Sequence, residues 1–191
     1  MLEPLSRQRH FLSLLNPCHD RFTRYVRAMA RNTEDARDII GETLLIAFEH
    51  LDELRKQDSF LFYLITIAKR EYLKMTRRRL LFIGYAPRHE DLLIDMNAAP
   101  DTYPDVAILY AAIARLPLRL REALVLFELS GLSLEEIRLL QGGSLSGVKS
   151  RVARSRQKLA AMLGDRESSS DDIGIVQQES NGATTVQECE S

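Results

Sequence analysis

The chain has 191 residues, 45% of them hydrophobic and 28% charged, with a net charge of −1, enough to bury a core in one medium domain or two small ones. No apolar run approaches the roughly 20 residues of a membrane helix, and Arg7 and Arg9 precede no apolar block with a cleavage site, so the expectation is a soluble, cytoplasmic protein. Cys18 and Cys189 sit at opposite ends, and the histidines at positions 10, 19, 50 and 89 are scattered, which supports neither a disulfide framework nor a metal site and leaves no cofactor to expect.

From Leu12 to about Arg79 apolar residues recur at helical spacing. Thr33 is placed as a cap, followed by Glu34 and Asp35 at the positive helix end, and Ala36, Ile40, Thr43, Leu44, Ala47, Phe48 and Leu51 form one stripe. After the polar stretch from Asp52 to Ser59 a second helix is expected. Phe60, Leu64, Ile67, Ala68 and Tyr72 lie on one side of it, and Lys69, Arg70, Lys74, Arg77, Arg78 and Arg79 crowd its C-terminal end. Phe60, Phe62 and Tyr63 read as core rather than as stacking partners for bases.

Between Leu80 and Asp105 the periodicity decays, and Pro87, Pro100 and Pro104 arrive with Gly84 and several acids, which reads as a linker. Fully extended at roughly 3.3 Å per residue it would span on the order of 80 Å. A second helical unit of four short helices is expected from Val106 to about Leu163. Its third helix starts at Ser133, with Glu136 completing a capping box, and ends at Gly142 and Gly143. Its fourth starts with Ser144 as cap, and the polar segment 164–191 is expected to be disordered.

Charge is organised in blocks. Residues 1–79 carry 15 bases and 11 acids, 80–108 carry 1 and 5, 109–163 carry 9 and 4, and 164–191 carry 1 and 7. Screening acts over about 10 Å, so a nucleic acid senses the local block rather than the total.

The segment Leu132–Leu159 combines a short helix, a glycine turn and a longer helix, the spacing of a helix-turn-helix. Lys149, Arg151, Arg154, Arg156 and Lys158 occur with no acid between Ser144 and Gly164, while Val148, Val152, Leu159 and Leu163 keep an apolar face. Bases near the start of such a helix reach base edges, and later ones neutralise phosphates. Ser146, Lys149, Ser150, Arg151, Arg154 and Arg156 are the candidate DNA-reading residues.

The stretch GLSLEEIRLLQGGSLSGVKSRVARSRQKL at Gly131–Leu159, preceded by LPLRLREALVLFELS, resembles region four of the ECF (extracytoplasmic function) sigma factors, which reads the minus-thirty-five promoter element. DARDIIGETLLIAF at Asp35–Phe48 and FLFYLITIAKREYLKMTRRR at Phe60–Arg79 resemble region two of the same family. The resemblance implies an all-α protein of two small helical domains joined by a flexible linker: region two at 1–80, an acidic linker at 81–105, region four at 106–163 and a tail at 164–191. It implies that Asp38, Glu42 and Glu49 bind core RNA polymerase and that Lys69, Arg70, Lys74, Arg77 and Arg78 help capture the minus-ten element. Promoter DNA and core polymerase are the expected partners, with an anti-sigma factor as a further one and no membrane. The sequence departs from the family pattern at Arg70, Lys74, Arg138 and Gly147.

No phosphate-binding glycine loop, metal-ligand spacing or nucleophile motif occurs, so no enzymatic activity is expected. Two other readings remain open. One is a sigma-like adaptor that binds polymerase without reading promoters; the other is a stand-alone helix-turn-helix regulator.

Overall fold

A computed structural model describes residues 4–54, 59–83 and 104–170. Among these the fold is all α, with eight helices and no strand. The first, α1, spans Pro4–Leu15, beginning ahead of Leu12 because proline is well tolerated in a first helical turn. From it Phe11 and Leu15 turn inward. Arg7 of α1 donates to the carbonyls of Phe48 and Glu49, both at 2.9 Å, and so satisfies two of the open acceptors at the end of the third helix.

Helix α2, His19–Met29, buries Phe22, Tyr25, Val26, Ala28 and Met29 and leaves Arg21, Arg24 and Arg27 outside. Helix α3 spans Thr33–Glu49. Its cap is Asn32, not Thr33: the Asn32 side chain accepts from the Asp35 amide at 2.8 Å, and Thr33 becomes the first helical residue. Both are good capping residues, and one position of register was all that separated them. Ala36, Thr43, Ala47 and Leu51 of the expected stripe are buried, joined by Ile39. Helix α4, Phe60–Ile83, sets Phe60, Leu64, Ile65 and Ala68 into the same core, with Phe11 edge-on to Phe60 at 5.7 Å. Phe62 and Tyr63 pack partly buried against it.

In the C-terminal half α5 covers Pro104–Ala114 and is stopped before Pro117. Helix α6, Leu118–Leu124, continues as a π turn over Val125–Leu129, where the Ser130 amide reaches back to the Val125 carbonyl at 3.0 Å. Gly131 then takes φ +63°, a conformation open to glycine and strained for other residues. Helix α7, Leu134–Gln141, carries the expected capping box between Ser133 and Glu136. Gly142 and Gly143 reverse the chain with φ of 73° and 88°, and α8 runs from Leu145 to Ser170.

The last helix therefore passes Gly164, where the sequence pattern ends it. A nucleated helix propagates at little cost, and Asp165, Arg166 and Glu167 do not oppose it strongly enough to end it. Helices α4 and α5 likewise take the ends of the stretch 81–105 read as linker. Residues 84–103 of that stretch, and 171–191 of the tail, lie outside the described residues.

What the sequence pattern did not contain is that the two helical units pack on each other. Phe22, Leu64 and Ile65 of the first and Leu116, Leu126, Ile137 and Val148 of the second belong to one continuous apolar cluster. Each such side chain, fully buried, contributes roughly 1.5–3 kcal/mol.

Candidate nucleic-acid and polymerase interface

The turn between α7 and α8 is built by local rules. Ser133 and Glu136 close the start of α7, two left-handed glycines end it, and the Ser144 hydroxyl accepts from the Gly147 amide at 3.1 Å to start α8. Val148 and Val152 anchor α8 on the core at 0% and 4% exposure. That packing fixes which of its bases look outward. Ser146, Lys149, Ser150 and Arg154 are exposed, and among the described residues Lys149 and Arg154 have no ion-pair partner. Each presents an exposed cation on the surface of α8.

Two of the six candidate residues are instead paired within the protein, Arg151 half-buried and Arg156 at the surface. The Arg151 Nε donates to Gln141 Oε1 at 2.8 Å and an Nη to the Gly142 carbonyl at 3.3 Å. Arg156 donates its Nε to Glu128 at 2.7 Å and lies 5.3 Å from the centre of the Phe127 ring. Gln141 was not foreseen. The signal was available, since a glutamine ending the bracing helix lies one tight turn from the bases of the next.

In the N-terminal unit α4 presents Arg70, Lys74, Arg77 and Arg78 as exposed bases. At about 100° of rotation per residue these four fall within roughly 100° of one another, and Lys69 falls outside that sector. The structure follows that phase. Lys74 pairs with Glu71 on its own helix at 2.9 Å, whereas Lys69 turns to the C-terminal unit, with its Nζ 2.8 Å from Glu122 and 2.6 Å from the Leu140 carbonyl.

Asp38, Glu42 and Glu49 are exposed on α3, within about 40° on the helical wheel. Asp38 and Glu42 line a cleft of about 600 Å³ between α3 and α4 together with Glu71, Lys74, Arg78 and Arg79. Two acids and two bases assigned to different partners thus share one cleft, and Glu49 stands two turns away. Arg79, which also lines this cleft, forms a two-pronged pair with the buried Asp35. Its pKa is raised, chiefly by that hydrogen bond.

A helical chain of two units, one ending in a helix-turn-helix with outward bases and the other pairing an acidic helix with a basic one, is a DNA-reading transcription protein. Residues 14–80 match the family Sigma-70 region 2, and residues 107–159 match Sigma-70, region 4. The RNA polymerase sigma factor CarQ of Myxococcus xanthus is 32% identical over 75% of this chain and 83% of its own. The ECF RNA polymerase sigma factor EcfG of Rhodopseudomonas palustris is 29% identical over 71% and 75%. Among solved structures, the sigma factor RpoE in complex with the anti-sigma factor NepR from Bartonella quintana shares the fold, with a TM-score of 0.67 at 23% identity, over 82% of this chain and 96% of that one. The chain belongs to the ECF sigma factors. It is a subunit that binds core RNA polymerase and promoter DNA and directs transcription initiation. No helix among the described residues is long and apolar enough to cross a membrane.

Proposed function

We propose that the two units divide promoter recognition as follows. Residues 1–80 hold polymerase through Asp38, Glu42 and Glu49 and the minus-ten element through Arg70, Lys74, Arg77 and Arg78, with Lys69 joining them once it leaves Glu122. Residues 106–163 hold the minus-thirty-five element through Ser146, Lys149, Ser150 and Arg154, with Arg151 and Arg156 fixing the helix that carries them. The segment 81–105 sets their spacing. Each unit is a weak binder alone, and polymerase makes their contacts simultaneous by fixing their separation. The protein performs no chemistry itself, acts in the cytoplasm beside the polymerase, and takes an anti-sigma factor as its regulatory partner.

The observation that carries this reading is the outward face of α8, where Lys149 and Arg154 have no ion-pair partner among the described residues and stand beside exposed Ser146 and Ser150 while Val148 and Val152 are locked into the core. Run-off transcription with core polymerase tests it. Wild-type protein gives defined new start sites, and a Lys149→Ala/Arg154→Ala variant loses starts that depend on the minus-thirty-five element. Tight polymerase binding without any start would establish the adaptor reading in its place.

A further inference from the structure

Gln141 ends the helix that braces the recognition helix, and its side chain joins three helices, α6, α7 and α8. Its Nε2 donates to the Arg119 carbonyl at 3.1 Å and to Glu122 Oε2 at 2.9 Å, both on α6. Its Oε1 accepts from the Arg151 Nε of α8 at 2.8 Å. The amide fits only one way round, because a guanidinium has donors alone and a backbone carbonyl only accepts. Arg151 then spans the turn, with an Nη 3.3 Å from the Gly142 carbonyl. Gly142 and Gly143 reverse the chain there with positive φ of 73° and 88°. Glycine is the most permissive residue, so the turn by itself leaves the setting of α8 on α7 to other contacts.

Val148 and Val152 seat one side of α8 on the core. Such burial scales with area and carries little direction, whereas hydrogen bonds are directional. Arg151 lies two residues after Lys149 and three before Arg154, so a tether on Arg151 governs where those cations point. A rotation of about 15° carries a group about 6 Å from the helix axis through about 1.5 Å, enough to break a hydrogen bond to a base edge. The anchor of the tether is itself held: Glu122 is 8% exposed. Its bond to Gln141 uses the oxygen that Lys69 does not, since Lys69 lies on Oε1. The relay from Glu122 through Gln141 to Arg151 therefore belongs wholly to the C-terminal unit.

We propose that Gln141 is a positioning residue for promoter reading: through Glu122 and Arg151 it sets the rotation of α8, and with it the base edges that Lys149, Ser150 and Arg154 meet. The inference rests on the assignment of that face of α8 to the minus-thirty-five element. Gln141 acts through Arg151 and not on DNA. Its loss relaxes sequence discrimination more than it weakens binding as such, because the cations that neutralise phosphates remain on α8.

The test uses the full chain with core polymerase on a promoter identified by run-off transcription, and on the same promoter with its minus-thirty-five element scrambled. The readout is the ratio of the two affinities. Loss of folded protein lowers both affinities alike and leaves that ratio unchanged. Gln141→Met keeps the size of the side chain without its hydrogen bonds, and it should lower the ratio by roughly fivefold to tenfold with helical circular dichroism retained. Gln141→Glu keeps an acceptor for Arg151 but sets a second carboxylate against Glu122, and should lower the ratio likewise. Adding Glu122→Gln restores a donor facing an acceptor at wild-type net charge, with the carbonyl of the exposed Arg119 turned to water. That double variant should recover the ratio to within about twofold of wild type. Should Gln141→Met lose its helical signal, the comparison of Gln141→Glu with the double variant decides alone. A folded Gln141→Met variant with a ratio within about twofold of wild type, or a double variant no better than Gln141→Glu, overturns the positioning role. Wild-type protein that fails to discriminate overturns promoter reading by α8, and this inference with it.

Discussion

Arg151 of the recognition helix turns back onto the bracing helix, its Nε 2.8 Å from Gln141 Oε1, while Lys149, two residues earlier, is exposed. Two bases in one short motif therefore have different work. Arg151→Ala is expected to destabilise the C-terminal unit by about 1 kcal/mol, the usual loss for a hydrogen bond of this kind. Lys149→Ala is expected to leave stability unchanged and to lower the salt dependence of promoter binding by about one phosphate contact. Thermal melts beside a salt titration of the polymerase complex distinguish the two.

Asp35 and Arg79 fix the crossing of α3 and α4 with a two-pronged ion pair. Asp35 is 7% exposed at its side chain and Arg79 38%, so removing the arginine strands a buried carboxylate while removing the aspartate leaves a cation that can reach water. Arg79→Met is expected to destabilise by about 2–4 kcal/mol, toward the lower end for a broken buried pair because of that exposure, and Asp35→Asn by less. Urea denaturation of both variants gives the comparison, and equal losses would contradict the asymmetry.

Gly131 serves two requirements at once, a φ of +63° and room for the Arg21 guanidinium. Gly131→Ala should therefore destabilise by about 1–3 kcal/mol. In an Arg21→Met background the steric part of that loss disappears and the backbone part remains, so a double-mutant cycle should show coupling. Additive losses would mean that Arg21 moves aside freely.

Tyr25 supplies a pH dependence. Burial first, then Glu122 and Tyr72, push its phenol well above its ordinary value. A raised folded-state pKa means that the folded chain holds a proton which the unfolded chain releases at about pH 10, so this contribution is complete below that pH and fades above it. Urea midpoints should fall between about pH 8 and about pH 10.5 in wild-type protein. The fall should be smaller in Tyr25→Phe.

Ser133 gives the local case. Its hydroxyl accepts from the Glu136 amide and the Glu136 carboxylate accepts from the Ser133 amide, and Ser133→Ala is expected to cost about 1 kcal/mol in the same urea assay.

That capping box shows which parts of the molecule the sequence by itself determined. Ser133 and Glu136, Gly142 and Gly143, and the alternation of Val148 and Val152 with Lys149 and Arg154 act over three or four residues. Helix geometry converts such spacings into position without help from the rest of the chain, so the all-α fold, the helix-turn-helix and the outward face of α8 are legible in the order of the residues alone. Choosing Asn32 over Thr33 was beyond it, because both side chains satisfy the same local rule. Only tertiary structure decided that Lys69 faces Glu122, that Arg21 reaches Ser130 and that Arg151 rests on Gln141. As letters in a chain, a lysine open to solvent and a lysine paired with a carboxylate across a seam are the same residue. What separates them is the packing of one helical unit on the other, a sum of many apolar contacts between residues far apart in the chain, which no local spacing encodes.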